Sequence, residues 1–302
     1  MTAPSTAVLA QLVVDGTAPT TPSRCAPLFK WAGGKRWLVP ICGPAIHAYL
    51  ARSGGRYIEP FMGGAALALW LGEAGALLGD IERPLVDAYR AVADDPTAVA
   101  RELARFARAG TDRDAYEKTR ACQPRSAARR AARLLYLNRL AFNGLYRVNQ
   151  AGRFNVPFGR YPKPSFPTLQ QLEQTAVALA PARLHVGDFE ALVAGAGEGD
   201  VVFGDPPYPG GFHAYSGTAF DLADHQRLAR ALQAAARRGA AVVATNADTD
   251  DLRAWYAWAQ IVPTVEARAI SCKGAARQPA RCLLVTTHTS LVWPTDSPGR
   301  VL

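Results

Sequence analysis

Long apolar runs are missing from this 302-residue chain, and none approaches the roughly 18 consecutive residues that a membrane-spanning helix needs. The opening Met1-Thr2-Ala3-Pro4 also lacks the basic and apolar regions of a secretory leader. These two absences predict a cytoplasmic protein with no membrane partner. Cysteine is scarce as well: Cys25, Cys42, Cys122, Cys272 and Cys282 show no paired spacing of the metal or redox kind. They read as reduced, incidental thiols, and no metal is expected. Acidic residues are thin in one region: between Arg101 and Lys163, 15 Lys and Arg face 4 Asp and Glu. That local excess exceeds the whole-chain net charge of +9, so the remainder is slightly acidic. A basic segment in a near-neutral protein is the footprint of a nucleic-acid surface, although solvated helix faces at the spacing of Arg101, Arg105 and Arg108 fit it too.

What is present centres on Asp205-Pro206-Pro207-Tyr208, fed by the apolar run Val201-Val202-Phe203-Gly204 and followed by Pro209-Gly210-Gly211. The run predicts a strand, and its end carries one carboxylate and one aromatic ring. In open α/β sheets the carboxyl ends of the strands are where ligands bind. Each proline lacks an N–H and holds the preceding residue extended, which leaves the Asp205 and Pro206 carbonyls without ladder partners. A carboxylate and a carbonyl form a two-acceptor fork suited to a flat amino group, with Tyr208 placed to stack on the ring that carries it. An ordinary strand-to-turn boundary is the plainer alternative.

Residues 1 to 24, rich in Ala, Thr, Pro and Ser, predict a disordered tail that is dispensable for chemistry. Phe29-Lys30-Trp31-Ala32-Gly33-Gly34-Lys35 is a glycine turn between two lysines. Tyr57 to Leu71 reads as strand, glycine turn and helix, and Asp80 follows the apolar run Ala76 to Leu78. A glycine turn after a first strand and an acid ending a second is how doubly wound folds hold a nucleoside. The G-x-G-x-x-G spacing is absent, so no pyrophosphate site is predicted. A generic tight turn remains the competing reading. From Pro84 to about Leu140 the pattern is helical, which predicts an inserted domain. Two short alternating runs, Phe142 to Asn149 and Arg153 to Tyr161, flank a turn at Gln150-Ala151-Gly152 and predict a β-hairpin. Its arginines, asparagines and aromatics suit base reading, stacking and phosphate contact, or equally a structural hairpin with exposed arginines. Strands at Leu184 to Gly187, Val201 to Gly204, Ala241 to Thr245 and Leu283 to Thr287 then resume the α/β pattern, with a helix over Leu222 to Arg238. Asp80, Asp188 and Asp205 each end a predicted strand, which points to one shared carboxyl-edge site. A metal cluster competes with that reading, but no His or Cys accompanies the acids at ligand spacing.

With these residues assembled, the chain resembles the Dam-type DNA adenine methyltransferases, in which the cofactor motif precedes the target-recognition domain and the catalytic motif. The resemblance runs from Phe29 to about Val285. Six stretches carry it in the family's order: Lys30 to Lys35, Glu59-Pro60-Phe61, Tyr136-Leu137-Asn138-Arg139, Phe154 to Tyr161, Asp205 to Tyr208 and Arg268-Ala269-Ile270-Ser271. It implies an α/β, Rossmann-like S-adenosylmethionine-dependent sheet over residues 25–83 and 168–290. A mostly helical target-recognition domain with a β-hairpin would occupy 84–167, and a C-terminal tail 291–302. Carried over by motif, Trp31, Lys35, Glu59, Phe61, Gly63, Asp80, Asp188 and Phe189 would surround S-adenosylmethionine. Asp205, Pro206 and Tyr208 would be catalytic, with Asp205 between cofactor and target. Ala65 stands where the family usually has the last glycine of its cofactor turn, which implies altered packing with binding retained. The loop after Tyr208, with Phe212 and Tyr215, is shorter than in close relatives.

The implied reaction is methyl transfer to the exocyclic amine of an adenine flipped out of double-stranded DNA. Family enzymes acting on cytosine usually carry Ser where Asp205 stands, which separates the two amino targets. A catalytically silent DNA-binding protein on this fold would not need Asp205, Tyr208, Lys35 and Asp80 together. Phe142 and Asn143 are candidates to fill the gap left by the flipped base. Lys30, Leu145, Arg147, Pro157 and Tyr161 occupy the positions of the family's GATC readers, with Arg147 suited to a guanine edge. The resemblance further implies a solution monomer, and it leaves open a partnership with a restriction nuclease.

Overall fold

The computed structural model describes residues 25–209, 220–266 and 280–292. The N-terminal tail of residues 1–24, the loop aromatics Phe212 and Tyr215, Arg268 to Ser271 and most of the C-terminal tail lie outside them.

In chain order the elements are α1 (Val39–Ser53), β1 (Tyr57–Glu59), α2 (Ala66–Leu71), β2 (Leu77–Asp80), α3 (Arg83–Asp94), α4 (Pro96–Arg108), α5 (Arg113–Ala121) and α6 (Ala127–Leu140). There follow α7 (Leu169–Leu179), β3 (Arg183–Val186), α8 (Phe189–Val193), β4 (Val201–Gly204), α9 (Leu222–Arg237), β5 (Ala241–Ala247), α10 (Asp250–Trp255), β6 (Gln260–Glu266) and β7 (Ala280–Thr286). Helix starts are written locally. Asp95, Asp112 and Ser126 accept N-cap hydrogen bonds for α4, α5 and α6, and Thr168 with Gln171 and Asp221 with Asp224 form capping boxes for α7 and α9.

The seven strands lie in the order β3-β2-β1-β4-β5-β7-β6. The first five of these pair in parallel, and β7 runs antiparallel to both β5 and β6. Alternation along the strands feeds two cores. Tyr57, Val201, Phe203, Val243 and Leu284 face one side with α1, α3, α6 and α7, whereas Ile58, Val202, Val242, Leu283 and Val285 face the other with α8, α9 and α10. The chain order reverses direction between β1 and β4, the switch point at whose carboxyl edge open α/β sheets bind ligands.

Two features differ from the sequence reading. The hairpin of residues 142–161 is not a pair of regular strands: its ladder is reduced to two antiparallel bridges, Ala141 with Phe158 and Val148 with Phe154. Phe142–Gly144 is a short 3-10 turn, Asn143 and Arg160 take left-handed backbone angles, and Pro157 has no N–H to donate, so continuous pairing is interrupted. Strand β6 was also missed, because Pro263 interrupts its apolar pattern; β6 is an edge strand, where proline is tolerated.

Candidate active site

Strand β4 delivers Asp205 to the carboxyl edge one residue past its end, where β1 ends at Glu59 and β2 at Asp80. The Asp205 side chain is 15% exposed, and two groups converge on its Oδ1. Thr245 donates its hydroxyl at 2.6 Å, and the buried Lys35 ammonium lies at 3.0 Å. Pairing of Gly204 with Ala244 sets Thr245 on β5 next to Asp205 on β4. Lys35 also donates to the Gly33 carbonyl at 2.7 Å, and its Nζ sits 4.8 Å from the centre of the Tyr208 ring. The glycine turn, the Asp205 carboxylate and the Tyr208 ring are thus tied by one lysine.

Burial dominates the electrostatics of this edge. Glu59 is 3% exposed and accepts the Tyr57 hydroxyl at 3.0 Å. Desolvation, with smaller contributions from Asp205 and Asp80, pushes its carboxyl up to about 8. Burial also raises Asp80, although the Gly63 and Glu82 N–H groups each donate to it at 2.9 Å. Both donors arise from the loops flanking β1 and β2, so the carboxylate is fixed to the glycine turn. Gly63 has φ +43 and faces Trp31; a Cβ there would lie 2.9 Å from the indole Cδ1. Ala65 takes the left-handed conformation, with φ 54, which a glycine would adopt without strain. The altered packing expected at this position is therefore a backbone held in the glycine conformation by an alanine.

Beyond the turn Phe61, Phe189 and Phe220 form an aromatic cluster. Phe61 stacks on Phe189 at 5.4 Å and meets Phe220 edge-on at 5.6 Å. Arg227 lies over Phe189 at 4.7 Å and pairs with Asp188 at 2.7 Å, Glu190 at 3.0 Å and Asp224 at 2.7 Å. The hydrogen bonds that Arg227 donates to Asp188 and Glu190 hold its guanidinium well above the ordinary range. Asp188 itself is exposed and caps α8, accepting the Glu190 N–H at 2.9 Å.

The proposed DNA-facing residues gather around the second turn of the site. Trp31 stacks on Tyr146 at 5.4 Å, which joins the Gly33-Gly34 turn to the 142–161 segment. Lys30 Nζ sits 4.5 Å from the Tyr161 ring centre, with burial and the nearby Arg139 lowering its pKa. Phe142 is 43% exposed while its N–H donates to the Pro157 carbonyl at 2.9 Å. Leu145 is half-buried, Pro157 is exposed, and Arg147 donates from Nε to Asn155 Oδ1 at 2.7 Å. Asn143, at φ 52, shapes the turn between them.

Sequence reasoning missed Thr245, Phe220 and Arg227, and gave Lys35 no carboxylate partner. A signal existed for Thr245: Thr245 and Asn246 are polar residues in an otherwise apolar, fully buried strand. Arg227 carried none, because apart from Asp224 one turn away its partners Asp188 and Glu190 lie far away in the chain, at the start of α8. Among the described residues no three His, Cys, Asp or Glu side chains gather as a metal site, and no helix is long and apolar enough to cross a membrane.

The donor chemistry fits S-adenosylmethionine. Besides its carboxylate, that molecule carries a sulfonium, an ammonium, two ribose hydroxyls and an adenine amine, which are cationic or hydrogen-donating. The edge answers with the acceptors Glu59, Asp80, Asp188 and Asp205 and with aromatic rings, and the absent Cβ of Gly63 lets the Trp31 indole pack directly against the turn.

Comparison with known proteins agrees with this chemistry. A family model for the D12 class N6 adenine-specific DNA methyltransferases matches residues 31–270. The DNA N-6-adenine-methyltransferase of Escherichia phage P1 is 38% identical over 85% of this chain, which spans 35% of that longer protein. A type II methyltransferase of Lactococcus lactis subsp. cremoris is 30% identical, covering 87% of this chain and 95% of its own length. The DNA adenine methylase of Vibrio cholerae is 35% identical, covering 86% of this chain and 96% of its own length.

Proposed function

We propose that this chain, which belongs to the D12 class of N6 adenine-specific DNA methyltransferases, methylates adenine within GATC after flipping the base into a pocket formed by Asp205, Pro206 and Tyr208. Membership makes it an enzyme, an adenine-specific DNA methyltransferase that uses S-adenosylmethionine as methyl donor. The specificity, the base flipping and the residue roles that follow are our reading.

When bound, S-adenosylmethionine supplies an electrophilic methyl group on a positively charged sulfur. In this reading Asp80 takes the ribose hydroxyls, and Asp188 and Phe189 lie near the cofactor's adenine. Trp31, Lys35, Glu59, Phe61 and Gly63 complete the binding surface. The target amine is a poor nucleophile because its lone pair is delocalised into the ring. Asp205 and the Pro206 carbonyl accept its two N–H groups and draw it toward tetrahedral geometry, which frees the lone pair for in-line attack. Tyr208 stacks on the extruded base and offsets part of the few kcal/mol that unstacking costs, while Phe142 and Asn143 fill the gap.

The single observation that carries this reading is the convergence of Thr245 and Lys35 on one oxygen of Asp205, which fixes the carboxylate at the switch point of the sheet. Residues 84–167 would form the target-recognition domain, with Lys30, Leu145, Arg147, Pro157 and Tyr161 reading GATC. We place the enzyme in the cytoplasm as a monomer. Digestion of DNA from expressing, methylation-deficient cells tests the specificity. Resistance to a nuclease blocked by methylated GATC supports it, and full cutting by that nuclease rejects it.

A further inference from the structure

The stretch Tyr136-Leu137-Asn138-Arg139 near the end of α6 has no part in the reaction above, yet Asn138 is only 1% exposed. Asparagine is a poor helix former, and a buried amide must satisfy its polar atoms. Asn138 does so by gripping two other segments. Its Oδ1 accepts the Lys30 N–H at 2.8 Å, and its Nδ2 donates to the Lys30 carbonyl at 2.8 Å and to the Gly144 carbonyl at 2.9 Å. The next residue, Arg139, donates to the Leu28 carbonyl at 2.6 Å.

Lys30 is held along its whole length. Its backbone is clasped on both sides by Asn138, and its stem crosses Gly144, where a Cβ would lie 2.6 Å from the lysine Cδ and 2.7 Å from its Cβ. Its ammonium ends over the Tyr161 ring. Gly144 has φ +64 and belongs to the turn that carries Phe142 and Asn143. One amide therefore joins the segment entering the cofactor turn to the turn facing DNA.

We propose that Asn138 is a positioning residue for base discrimination: it locks Lys30 and the Phe142–Leu145 turn into one rigid reading surface beside the cofactor turn. The inference rests on the reading of Lys30 as a base contact. Misplaced donors lose discrimination because a bidentate or well-aligned contact to the correct base is geometric.

The test compares kcat/KM on GATC duplexes with that on duplexes altered at one base pair, for wild type, Asn138→Asp, Gly144→Ala and Lys30→Ala, with cofactor affinity measured by titration calorimetry. Asn138→Asp keeps the acceptor for the Lys30 N–H and sets a carboxylate against two carbonyls. Gly144→Ala pushes the Lys30 stem from the other side, and serves if the first variant does not fold. Both are expected to lower discrimination about tenfold, the scale of one base contact, while S-adenosylmethionine affinity changes less than about threefold. A merely structural role would lower both rates in proportion and leave the ratio intact, and that result overturns the proposal. If Lys30→Ala loses discrimination while both other variants keep it, the inference fails alone. If Lys30→Ala keeps full discrimination, the base-reading role of Lys30 fails, and the inference with it.

Discussion

At the scale of single residues, Asp205 is asked to act on the reacting amine and only marginally on the cofactor. Asp205→Asn keeps an oxygen for Thr245 but replaces a carboxylate acceptor with a donor. It should bind S-adenosylmethionine within about an order of magnitude of wild type and lose nearly all turnover, since an interaction made mainly in the transition state lowers kcat more than binding. Separate calorimetry and single-turnover assays check the two halves. Glu59 makes a different claim. Burial raises its carboxyl from 4.5 to about 8, so between those values the folded protein keeps a proton that the unfolded chain has released. Stability therefore falls as pH rises through that window, and the group contributes no slope below or above it. Glu59→Gln stays neutral throughout, so its melting temperature should decline less between about pH 5 and pH 8 than that of wild type. An identical decline in both would mean the carboxyl is already ionised in the fold.

Among the elements, the β1–α2 turn shows how local chemistry positions a site. Gly63→Ala meets two penalties, a left-handed φ and a collision with the Trp31 indole at 2.9 Å. Gly75→Ala, at φ +70 with nothing within 4 Å, meets only the first. Both should destabilise by about 1–2 kcal/mol from backbone strain, but only Gly63→Ala should weaken S-adenosylmethionine binding, by about tenfold. Equal cofactor affinity in the two variants would remove Gly63 from the site. This turn was legible in the sequence because its strand, glycines and helix are contiguous, and so was the β4 run that ends at Asp205. The Thr245–Asp205 and Arg227–Asp188 contacts were not, because they join residues 40 and 39 apart in the chain and depend on which strands and helices become neighbours. The 142–161 segment was half-legible: alternation announced antiparallel contact, but the left-handed Asn143 and Arg160 break a ladder in ways that alternation cannot reveal.

For the whole molecule, the charge asymmetry predicts behaviour that no single contact does. Helices α4 to α6 and the segment after them carry a positive excess larger than the net charge of the whole chain, so affinity for random-sequence DNA should fall steeply with salt, with a slope of about −0.9 in log K per phosphate neutralised. Binding that ignores salt would dissociate the basic block from DNA contact. The Trp31–Tyr146 stack and the Lys35–Asp205 pair tie the 142–161 segment and Asp205 to the two ends of one glycine turn, which in our proposal is where recognition and chemistry meet. The most direct measurement of that account is base-resolution mapping of N6-methyladenine in DNA from methylation-deficient cells expressing wild type or Asp205→Asn. The account predicts modification at the adenine of GATC on both strands with wild type and none with the variant. Modification by the variant at wild-type level, or modification of wild-type DNA confined to other sequences, would contradict it.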